Sequence, residues 1–546
     1  MNTSFDITLL AVLVAMAVSM ALIPLMIRLA PALGMMDQPD PRKVHALPIP
    51  RVGGVGIVIG ALIPMFIWLP WNNLTTSYLA GSVVLLVFGI WDDVRELGHY
   101  VKFIGQFIAV LAVVFYGDLY VTHLPFMEVD LAGEAVGRFI AVVGMVGIIN
   151  AINHSDGLDG LAGGESLLSL GAMVYLASQA DDSITSLIAF ATIGGVFGFL
   201  RFNSHPARVF MGDGGSQFLG FTLAFLALYL TQSSNPALSP ALPALLLGLP
   251  VVDIIAVLIK RARSRVSLFK ASKNHIHHRL LALGFHHYES VMVIYSVQAL
   301  LVITSIFIPY ESDALIIGFY LSVSFLLFAY LHVAESGRLC VRRDRSGIAT
   351  SWLAGLLRPE GPVMALDYRF MQGLLSVLLL ATALFIEESP RDLSAAAGLL
   401  FSLLLARLVF GYRAWFLFLR LILFVTVAFC AYLAELYVPD SWVGIADARI
   451  ALYIVLAVGV VLAVRFSQDE FFRVTPLDYL VLLVVLVLAL MFETGYTDAS
   501  SIKLGLQLIV LFYAVEVVIK HMRSRVNVFT VSALGFLGIV SVRGLF

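Results

Sequence analysis

Apolar runs of about 17–25 residues recur from one end of this chain to the other, broken by short polar stretches. Each is long enough to cross about 30 Å of hydrocarbon as a helix. Runs near 7–30, 54–70, 75–91, 101–117, 137–153, 164–179, 185–201, 214–231, 240–260, 290–309 and 311–333 predict eleven membrane spans. A hydrophilic segment, 334–366, follows. Seven more spans are expected near 367–386, 393–409, 412–436, 448–465, 476–493, 501–520 and 527–543. The pattern therefore predicts an all-α, polytopic integral membrane protein of about eighteen helices. Its division would be a core over 1–333, a basic linker over 334–366 and a second membrane module over 367–546.

Composition sharpens this picture. The chain of 546 residues is 60% hydrophobic and only 13% charged, where soluble domains carry about 25% charged residues. The two cysteines, Cys340 and Cys430, are far apart and give neither a disulfide framework nor a metal knuckle. The first run is too long for a cleaved signal, so it reads as a retained span. Basic residues fix the expected orientation. With the N-terminus outside, inward loops and span edges hold 27 Lys and Arg and outward ones hold five. Nothing points to a nucleic-acid partner.

That orientation puts four polar motifs on one face. Asp92 and Asp93 end the third run, and Lys102 and Gln106 open the fourth one helical turn apart. Two like charges at a span end can be a solvated terminus, yet they also call for a cation nearby. Asn150 to Gly164 packs two Asn, two Asp and four Gly into fifteen residues. Asn150 and Asn153 share a helix face, as would Asp156 and Asp159 if the helix continued. Such oxygens suit a hard cation like Mg²⁺, which also takes ligands from substrate phosphates. Asp213, among the glycines of Phe210 to Ser216, can present a carboxylate to a metal or free N–H groups to a phosphate; an ordinary helix cap is the plain alternative. His275, His277, His278 and Arg279 lie in a strongly basic loop, where cationic neighbours favour an anion over zinc. A hard-metal shell, a cationic cradle and access to lipid suit phosphoryl transfer onto a lipid phosphate.

In these four motifs, in this order, the chain resembles the polyprenyl-phosphate N-acetylhexosamine-1-phosphate transferases over about residues 1–333. The form His275-Ile276-His277-His278-Arg279 is similar to the GlcNAc-type branch. The resemblance implies transfer of a sugar phosphate from a UDP-sugar to undecaprenyl phosphate, with release of UMP. It implies that Asp213 and Asn153 hold Mg²⁺, or Mn²⁺ in its place. Asp92 and Asp93 would sit at the acceptor phosphate, with Lys102 neutralising it, and Asp156 and Asp159 would line the donor site. Asn203 and Phe210 would contact the uracil, and His275, His277, His278 and Arg279 the pyrophosphate. The stretches around His45 and Arg51 would touch substrate. His154-Ser155 departs from the family pattern. Direct attack by the acceptor and a covalent aspartyl intermediate both remain open. The family places its site on the cytoplasmic side of the bacterial inner membrane and starts surface glycans such as O-antigen or teichoic acid. Partners would include envelope-glycan assembly proteins or a second copy of the chain.

Two other classes compete with this reading. A transporter would carry its charges near the bilayer midplane, often on broken helices; Asp253, inside the ninth run, favours it. A scaffold of a polysaccharide assembly complex would need no acidic cluster. The module over 367–546 shows no catalytic motif. Its intramembrane charges Arg420, Glu435 and Glu516 are functional candidates by default, with packing or partner docking as its expected role.

Overall fold

The computed structural model describes residues 3–39, 47–95, 97–128, 133–265, 267, 274–336, 362–386, 391–410, 416–437, 445–466, parts of 507–519, and 527–543. They are helical almost throughout. Among them, nine helices are long and apolar enough to cross a membrane, with several shorter apolar ones beside them. The only described strands are two short hairpins, Met36–Asp37 with Ile49–Pro50 and His123–Leu124 with Met127–Glu128.

The helices fall into two compact units. In the first, the order is α1 (Thr3–Leu33), α2 (Gly53–Trp68), α3 (Asn73–Arg95), α4 (His99–Leu111), α5 (Glu134–Ser155), α6 (Leu161–Ser178), α7 (Ser183–Asn203), α8 (Gly212–Tyr229), α9 (Pro243–Leu246), α10 (Gly248–Arg263), α11 (Ile276–Ala282), α12 (His287–Phe307) and α13 (Asp313–Glu335). Each expected run before residue 335 coincides with a helix or a helix pair. α4 and α8 are extended by a single wider turn, Ala112–Tyr116 and Leu230–Ser234. Without a hydrophobic force between helices in lipid, close approach of small residues drives their packing. α1, α2 and α7 meet in this way, where Ser19 Oγ donates to Gly195 O at 2.9 Å. α3 lies on α8 with no side chain between them: a Cβ at Gly89 would stand 2.1 Å from the Cα of Gly214.

The expected ninth span is broken. Pro243 starts α9, Leu247 leaves helical geometry at φ −117°, and α10 begins at Gly248. Backbone groups freed inside a membrane need partners. The fully buried Gln298 of α12 supplies them, donating to Leu246 O at 3.0 Å and accepting from Leu249 N at 3.2 Å. Ser169 Oγ donates to the same Leu246 carbonyl at 2.7 Å, and Tyr320 OH donates to Gly248 O at 3.0 Å.

The second unit contains α14 (Pro362–Phe385), α15 (Arg391–Phe410), α16 (Phe416–Leu436), α17 (Ile445–Phe466) and α18 (Val528–Arg543). Leu375, Leu379, Leu423, Phe529 and Phe536 centre its apolar core. Glu435 is partnered inside the unit, by Arg449 at 3.3 Å and by Gln507 Nε2 at 3.2 Å. Cys430 is buried against Leu378 O. The side chains of Arg420 and Glu516, Cys340 and the run 476–493 lie outside the described residues, as does most of 501–520.

Candidate active site

α3 and α5 end, and α4 and α8 begin, at the same end of the first unit, which follows from antiparallel helices joined by short turns. One cavity of about 1020 Å³ opens there. Asp92, Asp93, Lys102, Asn153, Asp156, Asp159, Asn203, Phe210, Asp213, His278 and Arg51 all line it. Carboxylates from distant parts of the sequence, Asp37 among them, thus share one space. His45 lies outside the described residues.

The centre is a knot of α3, α4, α5 and α8. Lys102 Nζ binds Asp92 Oδ2 at 2.7 Å and also pairs with Asp213. Asp93 accepts the backbone N–H of Asp213 at 3.2 Å. Asn153 donates to Asp213 Oδ1 at 2.9 Å and to Ser216 Oγ at 2.8 Å. The expected common face of Lys102 and Gln106 is real. One turn deeper, Asn150 donates to Gln106 at 2.8 Å and Gln106 donates to Gln217 at 3.1 Å. Asn150 therefore braces the floor beneath the carboxylates.

Negative charge at this knot exceeds positive charge, for Lys102 is shared by two carboxylates. Asp92 Oδ1 is buried with no hydrogen-bond partner. An orphaned carboxylate oxygen beside two further carboxylates and a side-chain amide is a donor set that fits a hard divalent cation. Asp213, Asp92, Asp93 and Asn153 are the residues that could hold one.

The second wall is the loop after α5. The helix does not run on to Asp159, so Asp156 and Asp159 do not share a helix face. It stops at Ser155, Asp156 is its C-cap, and Gly160 turns the chain into α6 at φ +79°, where a side chain would be strained. Asp156 faces the cavity. Burial, reinforced by the charges of Asp213 and Asp159, raises its pKa to about 7. A carboxyl whose folded pKa lies above its unfolded value holds its proton better when folded. Stability therefore falls as pH rises between about 4 and 7. Thermal unfolding of metal-free protein should show Asp156→Asn gaining stability over wild type above pH 7 and matching it near pH 4; a constant difference across that range would refute the shift.

Asp159 accepts from Ala207 N at 3.1 Å and meets His205 Nδ1 at 2.6 Å. Asn203, expected at the substrate, is 4% exposed and has both ends of its amide engaged. It accepts from Gly160 N at 2.7 Å and donates to Val209 O at 2.8 Å, so it chiefly holds the two loops together. Phe210 is placed by backbone bonds, its N–H to Pro50 O at 2.8 Å and its carbonyl to Gly53 N at 2.9 Å. These bonds lace the Arg51 loop to the start of α8. Arg51 itself pairs with Asp37 and puts its charge near Asp93.

The histidine loop departs most from expectation. His275 and His277 are buried, and neither lines the cavity. Asp253 of α10 clamps the loop, accepting from Ile276 N at 2.9 Å and meeting His275 Nδ1 at 2.7 Å. Asp253 is thus an anchor of this site. Burial, with the neighbouring imidazoles His278, His275 and His287 adding to it, pushes His277 well below the usual imidazole range, so it brings no positive charge. Arg279 also lies off the cavity, forked onto Glu335 at 2.6 and 3.0 Å. Of the four residues expected to hold pyrophosphate, only His278 lines the cavity. His205 and His287, which stand in no motif of the sequence, do line it.

A membrane-embedded helical bundle with a carboxylate-rich cavity at one end defines the class: an integral membrane enzyme built for phosphoryl chemistry. Residues 75–231 match the model of glycosyl transferase family 4. The chain is 32% identical over 307 residues to the probable undecaprenyl-phosphate N-acetylglucosaminyl 1-phosphate transferase of Bacillus subtilis (strain 168), covering 56% of this chain and 83% of that protein. It is 32% identical over 320 residues to the undecaprenyl-phosphate alpha-N-acetylglucosaminyl 1-phosphate transferase of Haemophilus influenzae, covering 55% and 87%. It is 28% identical over 314 residues to the protein of that name in Escherichia coli (strain K12), covering 56% and 84%. The chain belongs to glycosyl transferase family 4, and within it to the sugar-1-phosphate transferases.

Proposed function

We propose that this enzyme moves an N-acetylhexosamine 1-phosphate from a UDP-sugar onto undecaprenyl phosphate, releases UMP, and so starts a lipid-linked surface glycan. The reading puts the reaction on the cytoplasmic side of a bacterial inner membrane. The observation that carries it is the meeting of Asp92, Asp93 and Asp213 with Lys102 in one cavity whose other wall is the Asp156–Asp159 loop. The names of its relatives supply the acceptor and the sugar class.

Asp213 and Asn153, with Asp92 or Asp93, would hold Mg²⁺ or Mn²⁺, which would supply charge neutralisation at the leaving group. The chain's own residues do the positioning. Lys102 offsets charge on the incoming phosphate, which near neutral pH is already largely dianionic because its second pKa is about 6. A strong general base is then unnecessary. Asp93, fixed by the Asp213 amide, orients that phosphate for attack on the donor. The loop held by Asn203 presents Asp156 and Asp159 to the donor, and Phe210 offers a face for its base. Catalysis rests on placement and charge neutralisation.

Purified protein with undecaprenyl phosphate, Mg²⁺ and a panel of UDP-sugars should release UMP from a UDP-N-acetylhexosamine, and chelation should stop it. No UMP from any donor would reject the proposal.

A further inference from the structure

Asp159, His205 and His287 bring their ligand atoms within 4.8 Å of one another, and all three line the cavity. We propose that they form a site for a borderline divalent cation, Zn²⁺ above all, and that its occupation shuts out the nucleotide donor. The second half rests on the donor reading of this cavity; the first does not.

The ligand set is two imidazoles and one carboxylate, which suits zinc and is poor for Mg²⁺, a cation that favours oxygen. The cation sites read from the α3–α8 knot are oxygen sites, so the two would sort their metals by chemistry. Asp159 Oδ2 stands 2.6 Å from His205 Nδ1 and 3.8 Å from His287 Nε2. With zinc bonds of about 2.0 Å at tetrahedral angles, ligand atoms lie roughly 3.3 Å apart. The first pair must open by less than 1 Å and the second must close by about half that. His205 is 40% exposed, so it can make the move. The cation would take the place of the hydrogen bond that now joins Asp159 Oδ2 to His205 Nδ1. His287 Nε2 at present accepts the Asp159 N–H at 3.0 Å, a bond that must be given up. Its other nitrogen, Nδ1, has no hydrogen bond to hold the ring against turning. The two rings already lie together, 4.1 Å between centroids. Three protein ligands leave a fourth position for water, and Asp159, once bound to the cation, is no longer available to the donor.

The full chain in detergent, with Mg²⁺ saturating, is titrated with Zn²⁺ by calorimetry and the bound ion read by X-ray absorption. Wild type should take up one ion with two nitrogen neighbours. Uptake should disappear in His205→Ala and in Asp159→Asn, with unfolding temperatures checked for both and His205→Gln as a milder alternative. No uptake by wild type, or an ion that persists in these variants and is lost in His278→Ala, overturns the site. Zinc should also raise the donor KM of wild type at least about tenfold, each variant being compared with its own zinc-free rate. Stoichiometric zinc with an unchanged donor KM overturns the exclusion.

Discussion

Asp213→Ala should lower UMP release by about 10³-fold or more while the protein stays folded. Removal of one pre-set electrostatic group from a buried reaction centre costs about 10²–10³-fold, and Asp213 serves more than one role. It faces Lys102 and Asn153, and its amide fixes Asp93. In the proposed reading it is also a metal ligand. Loss of its carboxylate would leave Lys102 paired with Asp92 alone and Asn153 bonded to Ser216 alone. Folding should survive because the change relieves crowding of like charges and leaves no buried cation unpaired. Steady-state UMP release with thermal unfolding in the same detergent checks both halves. Activity within about tenfold of wild type would remove Asp213 from the centre, and collapse of the fold would make it structural.

What the sequence disclosed, and what it hid, divide by distance along the chain. Spans are legible because an apolar run needs no partner to declare itself. The carboxylates are legible because they interrupt such runs, and antiparallel helices carry alternate interruptions to the same end. Asn153 reaches Asp213 for the same reason, since its helix face is local information. The histidine loop shows the limit. Its basic neighbours suggest an anion cradle, yet Arg279 is engaged by Glu335, 56 residues on, and His275 hangs from Asp253, 22 residues back. Neither partner leaves a trace in the local pattern. Likewise the break before Gly248 is signalled by Pro243, but what makes it tolerable is Gln298, a polar residue in an apolar run that reads as an anomaly until its bonds are seen. His205 and His287 stand alone in sequence and meet only because two loops fold over Asp159.

Gly89→Ala should cost about 10²-fold in turnover, and Gly89→Val more, although neither touches a reacting group. A Cβ at position 89 would lie 2.1 Å from Gly214 Cα and 2.4 Å from Gly214 N, both backbone atoms that no rotamer change can move. α3 must back away from α8 by more than 1 Å. Asp92 and Asp93 ride on the next turn of α3, and Asp213 sits beside Gly214, so the displacement opens the very contacts that define the centre. A misplacement of about 1 Å is enough to cost 10²-fold in a reaction that depends on alignment. Overpacking of this kind also costs about 1–3 kcal/mol of stability. The control is Gly147→Ala in α5, where an added Cβ meets nothing within 4 Å and helix propensity favours alanine. That variant should keep wild-type rate and stability. Equal behaviour of the two variants, whether both active or both impaired, would show that the glycine contact between α3 and α8 does not set the geometry of the site.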